Sequence, residues 1–206
     1  MRDYVTMWSE MTGIRPTNVL EIGSRDGHDA EHLRDSFSIN FKDVHVVEPN
    51  PDLHDMIEND YPKINLHKFA ISNNEGILEF NKVKNTEHMN QIGQSSLLDR
   101  KDGLYDRINS EKIKVQCITG KTLLEKIDDD KIYLCKIDVE GLTYEVLESF
   151  GDDIEKIKSF HLECEHIEIW ENQKVYRDIV NFMHSKGYLQ VYFRYVWHSL
   201  KQSDSI

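Results

Sequence analysis

The sequence predicts an α/β domain built on a doubly wound, mostly parallel sheet, and three observations carry that reading. Short β-rich runs alternate with amphipathic segments along the chain, the pattern of strands each followed by a helix. Runs such as "DVHVVEP" and "KIYLCKIDV" are close to continuously apolar, which implies strands covered on both faces. The chain has 206 residues, enough for one sizeable core and too few for two, so residues 1–206 are read as a single domain.

The elements follow in order. "NVLEIG" reads as the first strand and "HDAEHLRDSF" as the helix after it. "DVHVVEP" is the second strand, and Pro51, suited to the first turn of a helix, opens "PDLHDMIEND". "KINLHKFAI" is read as one third strand, followed by "SNNEGILEF", a turn and an edge hairpin. From Val83 to Ser110 the hydrophobic pattern fades for longer than an ordinary connection, which predicts a loop or a lid. "KIKVQCI" is a short strand before the helix "GKTLLEKI", and "KIYLCKIDV" a strand before the helix "GLTYEVLESF". "IKSFHLECEH" gives a further strand, "NQKVYRDIVNFMHSKG" a helix stopped by Gly187, and "YLQVYFRYVWHSLKQ" a closing pair of strands.

Composition narrows the classes. Hydrophobic residues at 39% and charged residues at 30% suit a soluble chain, and no apolar stretch is long enough to span a membrane. The start, "MRDYVTMWSE", lacks the apolar centre of a secretory signal, so a cytoplasmic location is expected. A formal charge of -12 argues against a nucleic-acid partner, because phosphate binding needs clustered Lys and Arg. An uncharged or weakly charged small substrate fits better. Cys117, Cys135 and Cys164 form no paired or CxxC pattern and read as free thiols, two of them inside apolar strands.

In a parallel sheet ligands gather at the carboxyl ends of the strands, and three features fall there. The first is Glu21-Ile22-Gly23-Ser24-Arg25-Asp26-Gly27, where two glycines let the backbone turn sharply before a helix. It is not GxGxxG, so a cradle for a pyrophosphate is weakly supported. Glu21 suits the ammonium of an amino-acid moiety better than two phosphates. The second is Glu48, which ends "VHVVEP" before Pro49 and can accept hydrogen bonds from both ribose hydroxyls of either cofactor class. The third is "FAISNNEG", where Ala70, Ile71 and Ser72 are placed to line an adenine slot.

With "KIDVEG" at Lys136 to Gly141, these stretches resemble the FkbM-like family of class I S-adenosylmethionine-dependent methyltransferases. The matching pieces are "VLEIGSRDG", "VHVVEPNP", "FAISNNEG", "IGQSSL" and "KIDVEGLTYEVLES", in the family's order and spacing over most of Val19 to His166. The resemblance implies a Rossmann-like class I methyltransferase fold with an antiparallel final strand. It also implies S-adenosyl-L-methionine as cofactor and O-methylation of a hydroxyl on a sugar, a glycan or a similar small metabolite. The segment "NQIGQSSLLDR" is then expected to cover the cofactor, with Ser95 or Ser96 contacting its methionyl part. Ser24-Arg25-Asp26 departs from the family, which more often carries small or apolar residues there.

Methyl transfer from a sulfonium requires alignment of nucleophile, methyl and sulfur, and a sugar hydroxyl gains from a base that takes its proton. Lys136 and Asp138 share a strand face with Glu140 at the turn, and His161, Glu163 and Glu165 share a face before His166. Asp138 is the expected base or orienter of the hydroxyl, with Glu165, His166 and Glu140 as the next candidates. Lys136 is expected in an ion pair with Glu163 or Glu21 rather than in catalysis. "HLECEH" invites a metal reading but is not HExxH, and no metal is expected. Two alternatives remain: an NAD-dependent oxidoreductase, which shares the outline and Glu48, and a non-catalytic binding module that keeps the fold for a partner.

Overall fold

The computed structural model describes residues 9–11, 13–84, 93–101, 109–127 and 129–190. A five-stranded sheet carries the architecture, in the order β3-β2-β1-β7-β8. Its strands are β1 (Val19–Ile22), β2 (Val44–Val47), β3 (Asn65–His67), β7 (Leu134–Ile137) and β8 (Phe160–Leu162). Every pairing in it is parallel. The chain runs outward from β1 to β3, then returns to place β7 on the other side of β1. That reversal opens a crevice at the carboxyl ends of β1, β2 and β7.

Helices cover both faces, as continuous apolar strands require. Residues alternate between faces along β1, so Val19 packs on α1 (His28–Phe37) through Ala30 and Leu33, with Val44, Val46 and Leu134. Leu20 and Ile22 point the other way, into the larger core. There they meet α3 (Gly120–Ile127), α4 (Thr143–Ser149) and α5 (Tyr176–Ser185) through Leu123, Val146, Leu147 and Ile179. Between β2 and β3, α2 (Pro51–Asp60) starts where the sequence places it: Asn50 caps it by accepting from the Asp52 amide at 3.1 Å, and Pro51 occupies the first turn.

Two expectations need correction. "KINLHKFAI" is not one strand. After β3 the chain bends at Lys68 and Phe69, and β4 (Ala70–Ile71) leaves the first sheet to pair parallel with β6 (Ser110–Ile118). The expected edge hairpin is absent for the same reason. β5 (Gly76–Val83) pairs antiparallel with β6, far along the chain, in a three-stranded sheet ordered β4-β6-β5. On this second sheet Ala70, Phe80, Val115 and Cys117 pack into a small core of their own. The closing strand pair and antiparallel final strand expected from the sequence fall mostly outside the described residues, as does most of the segment read as a lid. Among the described residues no helix is long and apolar enough to cross a membrane. Cys117 and Cys135 are buried and Cys164 half-buried, all as free thiols.

The crevice depends on one glycine. Gly23 leaves β1 with φ of 80°, and a Cβ there would lie 1.9 Å from the Asp138 carbonyl oxygen. The close approach lets the Asp138 amide donate to Ile22 O and the Gly23 amide to Val47 O, both at 3.0 Å, locking three strand ends together. Gly23→Ala is expected to destabilise the fold by at least about 2 kcal/mol, through both strain and collision. Chemical denaturation reads this directly; an unchanged midpoint would mean the strand ends are not so closely joined.

Candidate functional site

Parallel pairing sets Glu21, Lys136 and His161 in one row across the sheet. The row lies on the face covered by α1. The Lys136 ammonium, only 5% exposed, meets Glu21 Oε1 at 3.0 Å, Asp29 Oδ2 at 2.7 Å and Asp138 Oδ2 at 3.3 Å. Burial alone would favour loss of its proton, but Glu21, Asp138 and Asp29 outweigh burial and hold the ammonium above its usual range. Of the two partners expected for Lys136 it takes Glu21, and it adds Asp29 and Asp138.

Glu21 does not reach a ligand. It is 0% exposed, and Oε2 accepts from the Ser24 hydroxyl at 2.9 Å and the Ala30 amide at 3.0 Å. Ser24 Oγ in turn accepts from the Gly27 amide at 3.0 Å, and Asp26 Oδ1 from the His28 amide at 3.2 Å. The start of α1 is thus sealed by the chain's own oxygens, two of its three partners being carboxylates. A pyrophosphate would find occupied amides and like charge there. Ser24 and Gly27 therefore shape the turn from inside, and Gly27 is required by its φ of 77° and by the Tyr61 ring, 2.9 Å from where a Cβ would sit.

Arg25 remains on the cleft side of that turn, with φ of 62°. Its amide donates to Glu48 Oε2 at 2.7 Å, while its guanidinium pairs with Asp26 at 2.8 Å. The Asn50 amide donates to Glu48 Oε1, also at 2.7 Å. Both oxygens are fixed, and each keeps a second acceptor position. Burial pushes the Glu48 carboxyl up to about 7 against the pull of the Asn50 and Arg25 amides.

These residues border an open cleft at the carboxyl ends of the strands. Gly23, Arg25, Glu48, Pro49 and Asp138 line it together with the apolar Phe69, Ala70, Ile71, Phe80 and Leu97. Ser95 and Ser96 line it as well. Ser96 is 1% exposed, and its hydroxyl donates to Glu140 O at 2.7 Å, so it ties two loops rather than meeting a ligand. Ser72 departs from its expected place: its amide donates to Ile118 O at 3.1 Å, which joins β4 to β6 outside the cleft lining.

Of the four acid–base candidates, Asp138 lines the cleft and the other three do not. Glu140 sits on the turn with φ of 48°. Burial pushes its carboxyl up to about 8; Asp138 and Glu165 add to the shift and Arg100 opposes it. Glu165 Oε2 accepts from Gln173 Nε2 at 2.6 Å, and burial is again the first cause of a raised carboxyl. His166 is exposed and tilted against the Tyr176 ring, with centroids 4.6 Å apart. Glu163 is exposed along much of its length, yet its carboxyl is raised, by desolvation and then by the charge of Asp138 and a hydrogen bond to it.

Gln173 is the residue sequence reasoning misses. It is 4% exposed, and Oε1 accepts from the Ile169 and Trp170 amides at 2.8 and 3.2 Å while Nε2 holds Glu165. No local pattern marks it, because its partners are fixed by the loop it closes. Asn50 is also absent from the expected site, though an Asn before Pro51 carries a helix-capping signal that points to it.

The sheet order, the crevice at its reversal and the pinned Glu48 define a Rossmann-like α/β fold of the methyltransferase kind. A family model of the methyltransferase FkbM domain matches residues 21–189, and the chain belongs to that family. It is a methyltransferase, which sets aside the oxidoreductase reading. No curated protein and no solved structure matches the chain.

The half-buried Glu140 carboxyl gives stability a definite pH dependence. Its pKa is raised from the ordinary value to about 8, so its contribution is full below about pH 4.5 and is lost as pH rises through 8. Glu140→Gln keeps the outline of the neutral acid and cannot ionise. Thermal unfolding should show the variant matching the wild type at pH 5 and exceeding it by at least about 2 °C at pH 9. Parallel curves at both values would place Glu140 in solvent.

Proposed function

We propose that the chain is an S-adenosylmethionine-dependent O-methyltransferase that acts on a hydroxyl of a sugar, a glycan or a similar small metabolite. The observation that carries the cofactor is Glu48, its two oxygens anchored by backbone amides at 2.7 Å where it lines the cleft at the strand ends. A ribose diol donates two hydrogen bonds to such a carboxylate. The sealed start of α1 supports the same choice, since it accommodates a cofactor without phosphates and disfavours one that carries two.

The residues present fit this cofactor. Glu48 would hold the ribose, and Ala70 and Ile71, with Phe69, would flank the adenine. Gly23, Arg25 and Ser95 border the part of the cleft left for the methionyl chain. The cofactor supplies, when bound, a methyl group already activated on a sulfonium. The chain's own work is then alignment, exclusion of water by its apolar wall and handling of one proton. Asp138 reaches the cleft at the carboxyl end of β7 and accepts the proton of the acceptor hydroxyl. Lys136 orients that carboxyl from behind, at 3.3 Å.

Glu48→Ala should weaken S-adenosylmethionine or S-adenosylhomocysteine binding at least tenfold without unfolding the protein, because charge-assisted hydrogen bonds contribute about 1.5–3 kcal/mol each. Calorimetric titration of a folded variant at wild-type affinity removes Glu48 from the site. Tight binding of NAD in the same titration would reverse the choice of cofactor.

Asp138→Asn preserves size while removing the base. Methyl transfer should fall by roughly a hundredfold or more with cofactor affinity little changed. Turnover near the wild-type rate would move the proton-accepting role to another group, and lost affinity with turnover kept at saturating cofactor would make Asp138 a binding residue.

A further inference from the structure

We infer that Arg25 binds the carboxylate at the methionyl end of the cofactor, its guanidinium leaving Asp26 to do so. The inference rests on the S-adenosylmethionine reading above and assigns a specific partner to the charged tail of that ligand.

Among the described residues that line the cleft, the charged ones are Arg25, Glu48 and Asp138. S-adenosylmethionine brings two cations, its sulfonium and its ammonium, and one anion, its carboxylate. Within that lining Arg25 alone can answer the anion with opposite charge.

Other donors nearby are already taken. A helix N-terminus is a ready receiver of carboxylates, but the start of α1 is filled by the chain itself. The Gly27 amide donates to Ser24 Oγ, the His28 amide to Asp26 Oδ1 and the Ala30 amide to Glu21 Oε2. Lys136 is 5% exposed and held among Glu21, Asp29 and Asp138. Lys82 is engaged by Asp52 and Glu111, and Arg100 lies over the Trp170 ring; neither lines the cleft.

Arg25 is placed to fill the gap. Its amide holds Glu48 Oε2 at 2.7 Å, so its side chain departs from the anchor that receives the ribose. From Cα to Cζ it spans as many bonds as separate the ribose C5′ from the carboxylate carbon of the cofactor. The stem runs toward Gly93, another residue of the cleft lining. A Cβ on Gly93 would lie 3.1 Å from Arg25 Cδ and 3.7 Å from Nη1.

The present partner of the guanidinium is weakly held. Nε and Nη2 both donate to one oxygen, Asp26 Oδ2, at 3.1 and 2.8 Å, and Nη1 takes no part in that pair. The Arg25 side chain is 44% exposed there, where water screens an ion pair and leaves it little net strength. A carboxylate inside the cleft offers two oxygens to the same planar fork. Asp26 is not stranded by the exchange, because Oδ1 keeps the His28 amide at 3.2 Å.

The test titrates the full chain calorimetrically with S-adenosylhomocysteine and with its decarboxylated analogue, which keeps the ammonium and lacks only the carboxylate. The wild type is expected to prefer S-adenosylhomocysteine by at least about tenfold, as loss of a charge-assisted pair implies. Arg25→Asn, a residue that tolerates the positive φ at this position, should abolish that preference and leave the analogue's affinity within about twofold. Asp26→Asn keeps an acceptor for the His28 amide while removing the competing charge. It should tighten S-adenosylhomocysteine by about twofold or more and leave the analogue unchanged. Equal binding of the two ligands to the wild type overturns the inference. So does equal weakening of both in Arg25→Asn, which would mean that Arg25 acts only through Glu48 and the turn, and so does an Asp26→Asn variant with no gain. Absence of binding by either ligand to the wild type sinks the cofactor reading itself, and shows before any variant is made.

Discussion

The structure turns on one buried ion pair. Glu21 and Lys136 meet at 3.0 Å between the two central strands, in a place with almost no solvent. A lone charge there would be costly, and either partner alone would be worse than an apolar pair. Together they do more than neutralise each other. Through Ser24 and the Ala30 amide, Glu21 fixes the turn after β1 and the start of α1. Through Asp138, Lys136 fixes the end of β7. The cleft is therefore bounded on both sides by groups that share a single electrostatic anchor. The Glu48 carboxylate joins the same frame, because the Arg25 amide that holds it belongs to the turn Glu21 supports.

Much of this was legible in the sequence. The helices at 28–37, 51–60 and 120–127 begin and end where their signals lie, because caps, Pro51 and apolar periodicity are local properties. The parallel sheet and its ligand edge followed from continuous apolar runs alone. Glu48 and Asp138 were placed at the cleft because strand-end residues have nowhere else to face. What was not legible depended on partners distant along the chain. Nothing within "KINLHKFAI" says that Ala70 and Ile71 will abandon one sheet for another, since the competing strand begins at Ser110. Glu21 was half legible: pairing with Lys136 is one of two expected for that lysine, its type and position also fit a ligand contact, and the register that sets Lys136 opposite it turns it inward.

The serines teach a related lesson. Ser24, Ser72, Ser95 and Ser96 all sit near the strand ends, and a hydroxyl there serves a ligand or a backbone group equally well. Three of them satisfy buried backbone atoms at close range: Gly27 N by Ser24, Val83 N by Ser95 and Glu140 O by Ser96. Residue type does not separate these roles; the count of unsatisfied neighbours does.

Residues 93–101 form a piece of chain that touches two places at once. At Ser96 they pair with Asn81 of β5, and at Arg100 with Trp170 in the loop after β8. Lys101 and Asp99 complete the second join, through Ile169 O and the Glu171 amide. The strand β5 beside the cleft and the loop after β8 are thus stitched by one segment. Anyone exchanging the loop at 165–173 would be cutting half of a seam. The graft and the segment at 93–101 have to travel together, because the backbone bonds that define each are supplied by the other.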